Sequence, residues 1–500
     1  MTDSHSEQPH FKRALNLFDA VMLVTGSMIG SGIFIVSADI ARQVGSAGWL
    51  LLVWVLTGII TLAGAVSYGE LAAMFPKVGG QYVYLRESFG RLTAFLYGWT
   101  LFLVIQTGVI AAVAVAFAKF LGVLWGWSSV SNKLFVIGAP APGSGGEPLF
   151  AFSSVQLIAI LLIISITALN ARGVRTGKLI QNVLSSTKLI ALALLIVFGI
   201  TLGLNAASVQ ANFHDVWAAV RFAPPGVAES PLPISGTVLV IAIGMAMKGS
   251  LFSSDSWNNI GFAGEEIQNP ERTLVRSMAL GTAIVTALYL LINVVYLLVL
   301  PLVGSPEAAT VAGRGIMYAQ DDRVATAVAE SVLGPAGAYV LAILIMLSTF
   351  GANNGIILSG ARAYFAMAKD GLFFPGLARL NGAGVPGRAL WTQCCWACLL
   401  CLSGTYGQLL DYVMFAVILF YVVTIVGIFV LRRTRPKAPR PYRAWGYPLV
   451  PAIYVLLASA FCIILLIAPD TAKFSQRGLV LVALGVPVYL LVGRKFTARR

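Results

Sequence analysis

Two long apolar stretches of this chain are each broken in the middle by small and polar residues. Gly26-Ser27-Met28-Ile29-Gly30-Ser31-Gly32 interrupts residues 17–42, and Ser253-Ser254-Asp255-Ser256-Trp257-Asn258-Asn259 interrupts residues 234–264. In hydrocarbon an unpaired backbone amide costs several kcal/mol, so non-helical backbone at membrane depth survives only where it is buried in protein or lines a cavity. Each break is thus either a glycine-softened kink used for helix packing or a binding site. Their positions favour the site. They open two consecutive blocks of five hydrophobic segments, the pattern of an inverted-repeat membrane carrier.

A membrane chain is also what the composition requires, with 58% hydrophobic residues, 11% charged residues and mean hydropathy +0.85. About twelve spans are predicted, at 17–42, 48–74, 92–119, 152–170, 179–204, 234–264, 276–300, 336–365, 388–404, 410–431, 447–468 and 478–493. We number them spans 1 to 12. The chain divides into a tail at 1–16, a first five-helix repeat at 17–204, an external loop at 205–233, a second inverted repeat at 234–431, and a basic loop with two further helices at 432–500. A net charge of +14 would suit nucleic acid if it were clustered on a soluble face. Instead the densest run, Arg432-Arg433-Thr434-Arg435-Pro436-Lys437 with Arg440 and Arg443, lies between spans 10 and 11. Such asymmetry places both termini and this loop in the cytoplasm of a cell-membrane protein, near anionic lipid, and gives no reason to expect a nucleic-acid partner. Residues 1–14 are polar and span 1 lacks a small-residue cleavage site, so a cleavable signal is not expected.

Cysteine and histidine usage argues against a metal. Cys394, Cys395, Cys398 and Cys401 fall in span 9 and Cys462 in span 11, whereas His5, His10 and His214 are in the tail or a loop. Packing of small side chains accounts for the cysteines. With none of them in an external loop, no disulfide-linked partner subunit is expected. No cofactor motif is present.

A helix broken at mid-membrane exposes carbonyls at the end of its first half and amides at the start of its second, with partial charges to match. Span 1 would present carbonyls at Thr25 to Met28 and amides at Ser31 to Ile33, with Gly30 and Gly32 admitting a ligand to the backbone. A zwitterion fits such a break, its carboxylate at the amides and its ammonium at the carbonyls of spans 1 and 6.

At these residues the chain resembles a known family. Gly-Ser-Met-Ile-Gly-Ser-Gly-Ile-Phe at 26–34 resembles the first-helix signature of the amino acid, polyamine and organocation superfamily. Trp257-Asn258-Asn259, Gly264-Glu265-Glu266-Ile267-Gln268-Asn269-Pro270 and the run from Ala363 to Gly371 resemble its bacterial L-type amino acid transporter branch. The resemblance spans the whole chain. It implies an all-α polytopic fold of the LeuT type, with five plus five inverted helices, broken helices 1 and 6, and spans 11 and 12 outside the repeat. By position it implies that Gly30, Ser31 and Gly32 cradle a substrate carboxylate, beside the amide already expected from Ile33, and that Met28 offers a carbonyl to the ammonium. Phe252 becomes an outer gate over the site, with Ser253, Asp255 and Asn258 in the unwound part of span 6.

Lys188 lies deep in span 5, where its side chain is too short to snorkel easily. A mid-membrane lysine costs about 2.5–3.5 kcal/mol on insertion scales, so it has a partner. Either the pairing is structural, or, as the resemblance implies for sodium-independent members, its ammonium occupies the region of a coupling sodium. Lys248 and Asp255 flank the second break. They are expected either to neutralise each other or, if Asp255 faces the site, to let it recruit a cationic side chain. Mid-span Gln106 and Thr107 line the pocket or make a packing hydrogen bond. The function expected is sodium-independent exchange of neutral L-amino acids by alternating access; the rivals are a cationic amino acid or polyamine exchanger and a transport-inactive sensor. An enzyme is disfavoured by the absence of histidines and paired acids in the spans, and a channel by the absence of a filter motif.

Overall fold

The computed structural model describes residues 15–77, 79–138, 150–173, 177–221, 232–403, 406–469 and 471–497, with only backbone at 177–184, 263, 265, 403, 406–408, 411–412 and 492–497. Positions 1–14 of the expected tail at 1–16 and positions 222–231 of the loop before span 6 lie outside the described residues.

Apolar composition and length make helices of the predicted spans. Among the described residues, ten helices are long and apolar enough to cross a membrane. The broken span 1, formed by Leu17–Met28, Gly32–Phe34 and Val36–Val44, and the shorter span 9, Gly387–Ser403, account for the other two crossings expected. Span 8 differs from its predicted bounds. A helix runs over Val324–Lys369 but is kinked at Gly334, whose φ of 69° precedes Pro335, so a short helix lies across the end of the span proper.

Small residues let the helices approach closely. A Cβ on Gly58 in span 2 would lie 2.2 Å from Thr286 of span 7, and one on Gly281 of span 7 would lie 2.5 Å from Val24 of span 1. Spans 1 and 2 therefore each pack a side chain or a glycine directly against span 7. Both breaks fall beside this trio. Where span 1 begins, Leu15 N–H donates to the Glu266 carbonyl at 3.0 Å and Gln268 N–H to the Leu15 carbonyl at 2.9 Å, tying the start of one broken helix to the end of the other.

Acidic residues at the membrane edges divide into two kinds. Asp19 completes a capping box with Asn16, as a helix-end charge should. Glu70 does not behave that way. It is buried, with both oxygens held by Arg432 at 3.0 and 2.6 Å, Arg440 at 3.3 Å and the Ala444 amide at 2.7 Å. Span 2 is thus clamped to the basic loop after span 10.

Candidate functional site

Each break can be built from its residues. The first half of span 1 ends at Met28, and Gly30 N–H turns back onto the Met28 carbonyl at 2.8 Å. A single 3-10 turn, Gly32–Phe34, then leads into Val36–Val44. In span 6 the helix Gly236–Ser253 ends in a turn where Asp255 N–H meets the Phe252 carbonyl at 3.2 Å. Ser256, at φ 72°, redirects the chain into the 3-10 segment Trp257–Glu266.

The two glycines of the cradle differ in kind. A Cβ on Gly30 meets nothing within 4 Å, whereas one on Gly32 would sit 2.1 Å from Ser253 Oγ. Gly30 borders open space; Gly32 is where the two broken helices touch. A cavity of about 20 Å³ lies at this contact, bordered by Met28, Gly30, Ser31, Gly32, Phe252 and Ser253. It adjoins a second of about 30 Å³ toward span 10, bordered by Gln81, Gln106, Asn258 and Tyr421. Asp255, Ser256, Val109 and Ile356 border both. Ile33 is fully buried and lines neither.

Lys188, buried near the middle of Gly177–Leu202, reaches span 1 with Nζ donating to the Gly26 carbonyl at 2.7 Å. A cation therefore caps the carbonyl end of the first half-helix, as its dipole favours.

Lys248 and Asp255 do not pair. The Asp255 carboxylate instead accepts from the Tyr421 hydroxyl at 2.6 Å, and Lys248 has interactions of its own. Seven residues span about 10 Å of helix. Because the helix stops at Ser253, Asp255 turns away from the face that carries Lys248 and toward span 10.

Several polar groups were not singled out by the sequence. Tyr289 of span 7 donates its hydroxyl to the Met28 carbonyl at 3.0 Å and the Ser253 carbonyl at 3.1 Å, bridging both breaks, with Trp54 edge-on at 5.4 Å. Gln81, beside the basic face, binds Thr424 at 2.9 Å and accepts from Asn258 at 3.4 Å. A hydroxyl in the middle of an apolar span must find an acceptor, and that was the available signal for Tyr289. Gln106 shows both of its expected roles at once: it lines the second cavity and donates to the Ile356 carbonyl at 2.6 Å. A π-turn at Leu101–Ile105 sets its direction.

Tyr289→Phe is expected to lower the melting temperature of the ligand-free protein by about 1–3 degrees, because the Ser253 carbonyl loses its hydroxyl donor at a cost of about 1–3 kcal/mol while the Met28 carbonyl keeps the Gly30 N–H. A scan in detergent micelles measures this. An unchanged transition would show that the bridge contributes nothing.

Ion pairs close both ends. On the face opposite the basic loop, Arg42 of the second half of span 1 binds the Met317 carbonyl at 2.6 Å and Asp322 at 2.8 Å. On the basic face Arg362 of span 8 faces Glu266 of span 6 at 3.6 Å, and Arg86 binds Asp370 at 2.6 Å.

Comparison with known proteins gives a consistent family. A family model described as amino acid permease matches residues 15–491. The b(0,+)-type amino acid transporter 1 of Mus musculus is 29% identical over 92% of this chain and 84% of its own length. Large neutral amino acids transporter small subunit 2 of Mus musculus is 31% identical over 96% and 81%. The serine/threonine exchanger SteT of Bacillus subtilis is 28% identical over 97% and 98%.

Proposed function

This chain belongs to the amino acid permease family of the amino acid, polyamine and organocation superfamily, and from that premise we propose that it exchanges α-amino acids across the cell membrane without sodium. It is an integral membrane amino acid transporter of the LeuT-type fold, not an enzyme. The finer reading rests on one observation, the Lys188 Nζ held on the Gly26 carbonyl at 2.7 Å. An amine supplied by span 5 does there what a coupling cation would otherwise do. The substrate carboxylate lies against the backbone at Gly30 to Gly32, and its ammonium competes for the carbonyls of Met28 and Ser253 that Tyr289 bridges. Exchange is also what the name of the bacillar relative describes.

Selectivity for neutral side chains presumed that Lys248 neutralises Asp255. Without that pair, a carboxylate borders both cavities with a tyrosine hydroxyl as its side-chain partner. This favours a substrate range that includes cationic side chains, with Asp255 reading the charge and Phe252 covering the site. Counterflow into proteoliposomes with competing arginine, lysine, agmatine and leucine tests this. Arginine is expected to lose at least tenfold in potency on Asp255→Asn, since removing one member of a buried charge pair costs about 2–5 kcal/mol. Leucine is expected to keep its potency. If arginine does not compete in the parent protein, the neutral range stands.

Both termini and the 432–446 loop are cytoplasmic in this reading, and one helix bundle rocks against the scaffold to open the site alternately to either side. The cysteines at Cys394, Cys395, Cys398, Cys401 and Cys462 are free thiols within spans 9 and 11, so the chain is proposed to work without a disulfide-linked subunit.

A further inference from the structure

The face opposite the basic loop holds a cavity of about 290 Å³ that shares no lining residue with the two cavities at the breaks. Its walls come from the end of span 3 at Gly122, the loop after span 7 at Arg314 and Gln320, and the kinked helix that leads into span 8. None of its lining residues belongs to span 1 or span 6, so the substrate path does not account for it.

Sequence spacing builds the site. Arg323, Thr326, Ala327 and Glu330 recur at three- and four-residue intervals and so share one face of the short helix before Gly334. The kink at Gly334 and Pro335 then re-aims the helix, and Ala338 and Tyr339 supply a second wall from the span proper.

The chemistry of this wall is unusual for a structural cavity. The Arg323 side chain is 7% exposed. Of its five N–H donors, Nη1 binds the Lys119 carbonyl at 2.7 Å and lies 3.4 Å from Asp321. The three N–H groups of Nε and Nη2 have no hydrogen-bond partner among the described residues. Thr326 Oγ1 is buried and likewise unpartnered among the described residues. Arg314 uses Nε on the Ala308 carbonyl at 2.8 Å, which leaves its terminal nitrogens to the cavity it lines. Glu330 is near enough to act electrostatically on Arg323, yet it forms no ion pair within 4 Å among the described residues. From the rim, Tyr339, Val340, Ile343 and Leu347 continue as an exposed apolar stripe down span 8.

We propose that this cavity binds a small group that carries both an oxyanion and a primary ammonium. Arg314 and Arg323 take the oxyanion, and Glu330 takes the ammonium. Two sources share this chemistry. One is the headgroup of an amine phospholipid, whose chains would lie along the stripe of span 8; the other is a free amino acid held at a second, non-transporting site.

Native mass spectrometry of the purified full chain separates them. Micelles are doped with dioleoylphosphatidylethanolamine or dioleoylphosphatidylcholine at equal mole fraction; the two share phosphate and acyl chains, but choline has no N–H to give Glu330. If the source is the lipid, the ethanolamine form is retained roughly tenfold better, the effect of one charge-assisted hydrogen bond. Arg314→Gln and Glu330→Gln each then weaken that retention. A second arm measures binding of radiolabelled L-arginine to the Gly30→Val chain, in which the central cradle is filled. If the source is a free amino acid, one saturable site remains there and is lost when Glu330→Gln is added. Equal retention of both lipids, together with no Glu330-dependent arginine site, overturns the proposal. Neither arm requires transport, so its failure is distinct from failure of the exchange reading.

Discussion

Gly30→Val is expected to bring amino acid uptake to background while the protein still folds and inserts. The argument is steric and local. A Cβ at position 30 meets no heavy atom within 4 Å, so the first added carbon strikes no protein. The room it enters is the cavity of about 20 Å³ between the two breaks, where the substrate carboxylate must approach the backbone. A branched side chain there blocks that approach. Loss of at least about 100-fold in uptake, close to 2.8 kcal/mol, is the expected size. Size-exclusion profile and melting temperature should stay near those of the parent. Unchanged substrate affinity in this variant would place the site elsewhere. Gly32 is the contrasting control: its Cβ would press on Ser253 at 2.1 Å, so Gly32→Ala should damage stability as well as transport.

Lys188→Ala is expected to cost transport nearly as much, by a different route. Its Nζ is the donor that satisfies the Gly26 carbonyl at the end of the first half-helix. Removing a hydrogen bond from a charged group costs about 1.5–3 kcal/mol, roughly 10- to 100-fold in the population of the competent arrangement. Lys188→Arg should not restore activity, because a planar guanidinium is larger and holds its donors in a fixed fork. Initial rates of counterflow in reconstituted vesicles report both variants. Full activity in Lys188→Ala would reduce this residue to a packing role.

Much of the architecture was legible in the sequence because a membrane leaves few options. Glycine and serine runs inside otherwise apolar spans have to mark irregular backbone, and a lysine as deep as Lys188 has to reach a partner. Local spacing reached no further than that. Tyr289 could not be assigned to the breaks, since a tyrosine has an apolar body and packs at many places in a bundle. Only the fold brings it to carbonyls on spans 1 and 6. Tyr421 poses the same difficulty from span 10, and its hydroxyl is what replaced Lys248 beside Asp255. The expected Lys248–Asp255 pair assumed that sequence proximity across a helix end keeps two side chains together. The left-handed turn at Ser256, on a residue that is not glycine, was invisible to that argument. The clamp on Glu70 was equally out of reach, because its partners Arg432 and Arg440 lie more than three hundred residues away in the chain.

Counterflow in proteoliposomes, with sodium or choline as the only monovalent cation and with or without amino acid inside, tests the central claim most directly. The account predicts equal initial rates in the two salts, and fast uptake only when the vesicles are preloaded with amino acid. Uptake that falls steeply when choline replaces sodium would contradict it, as would uptake just as fast into empty vesicles.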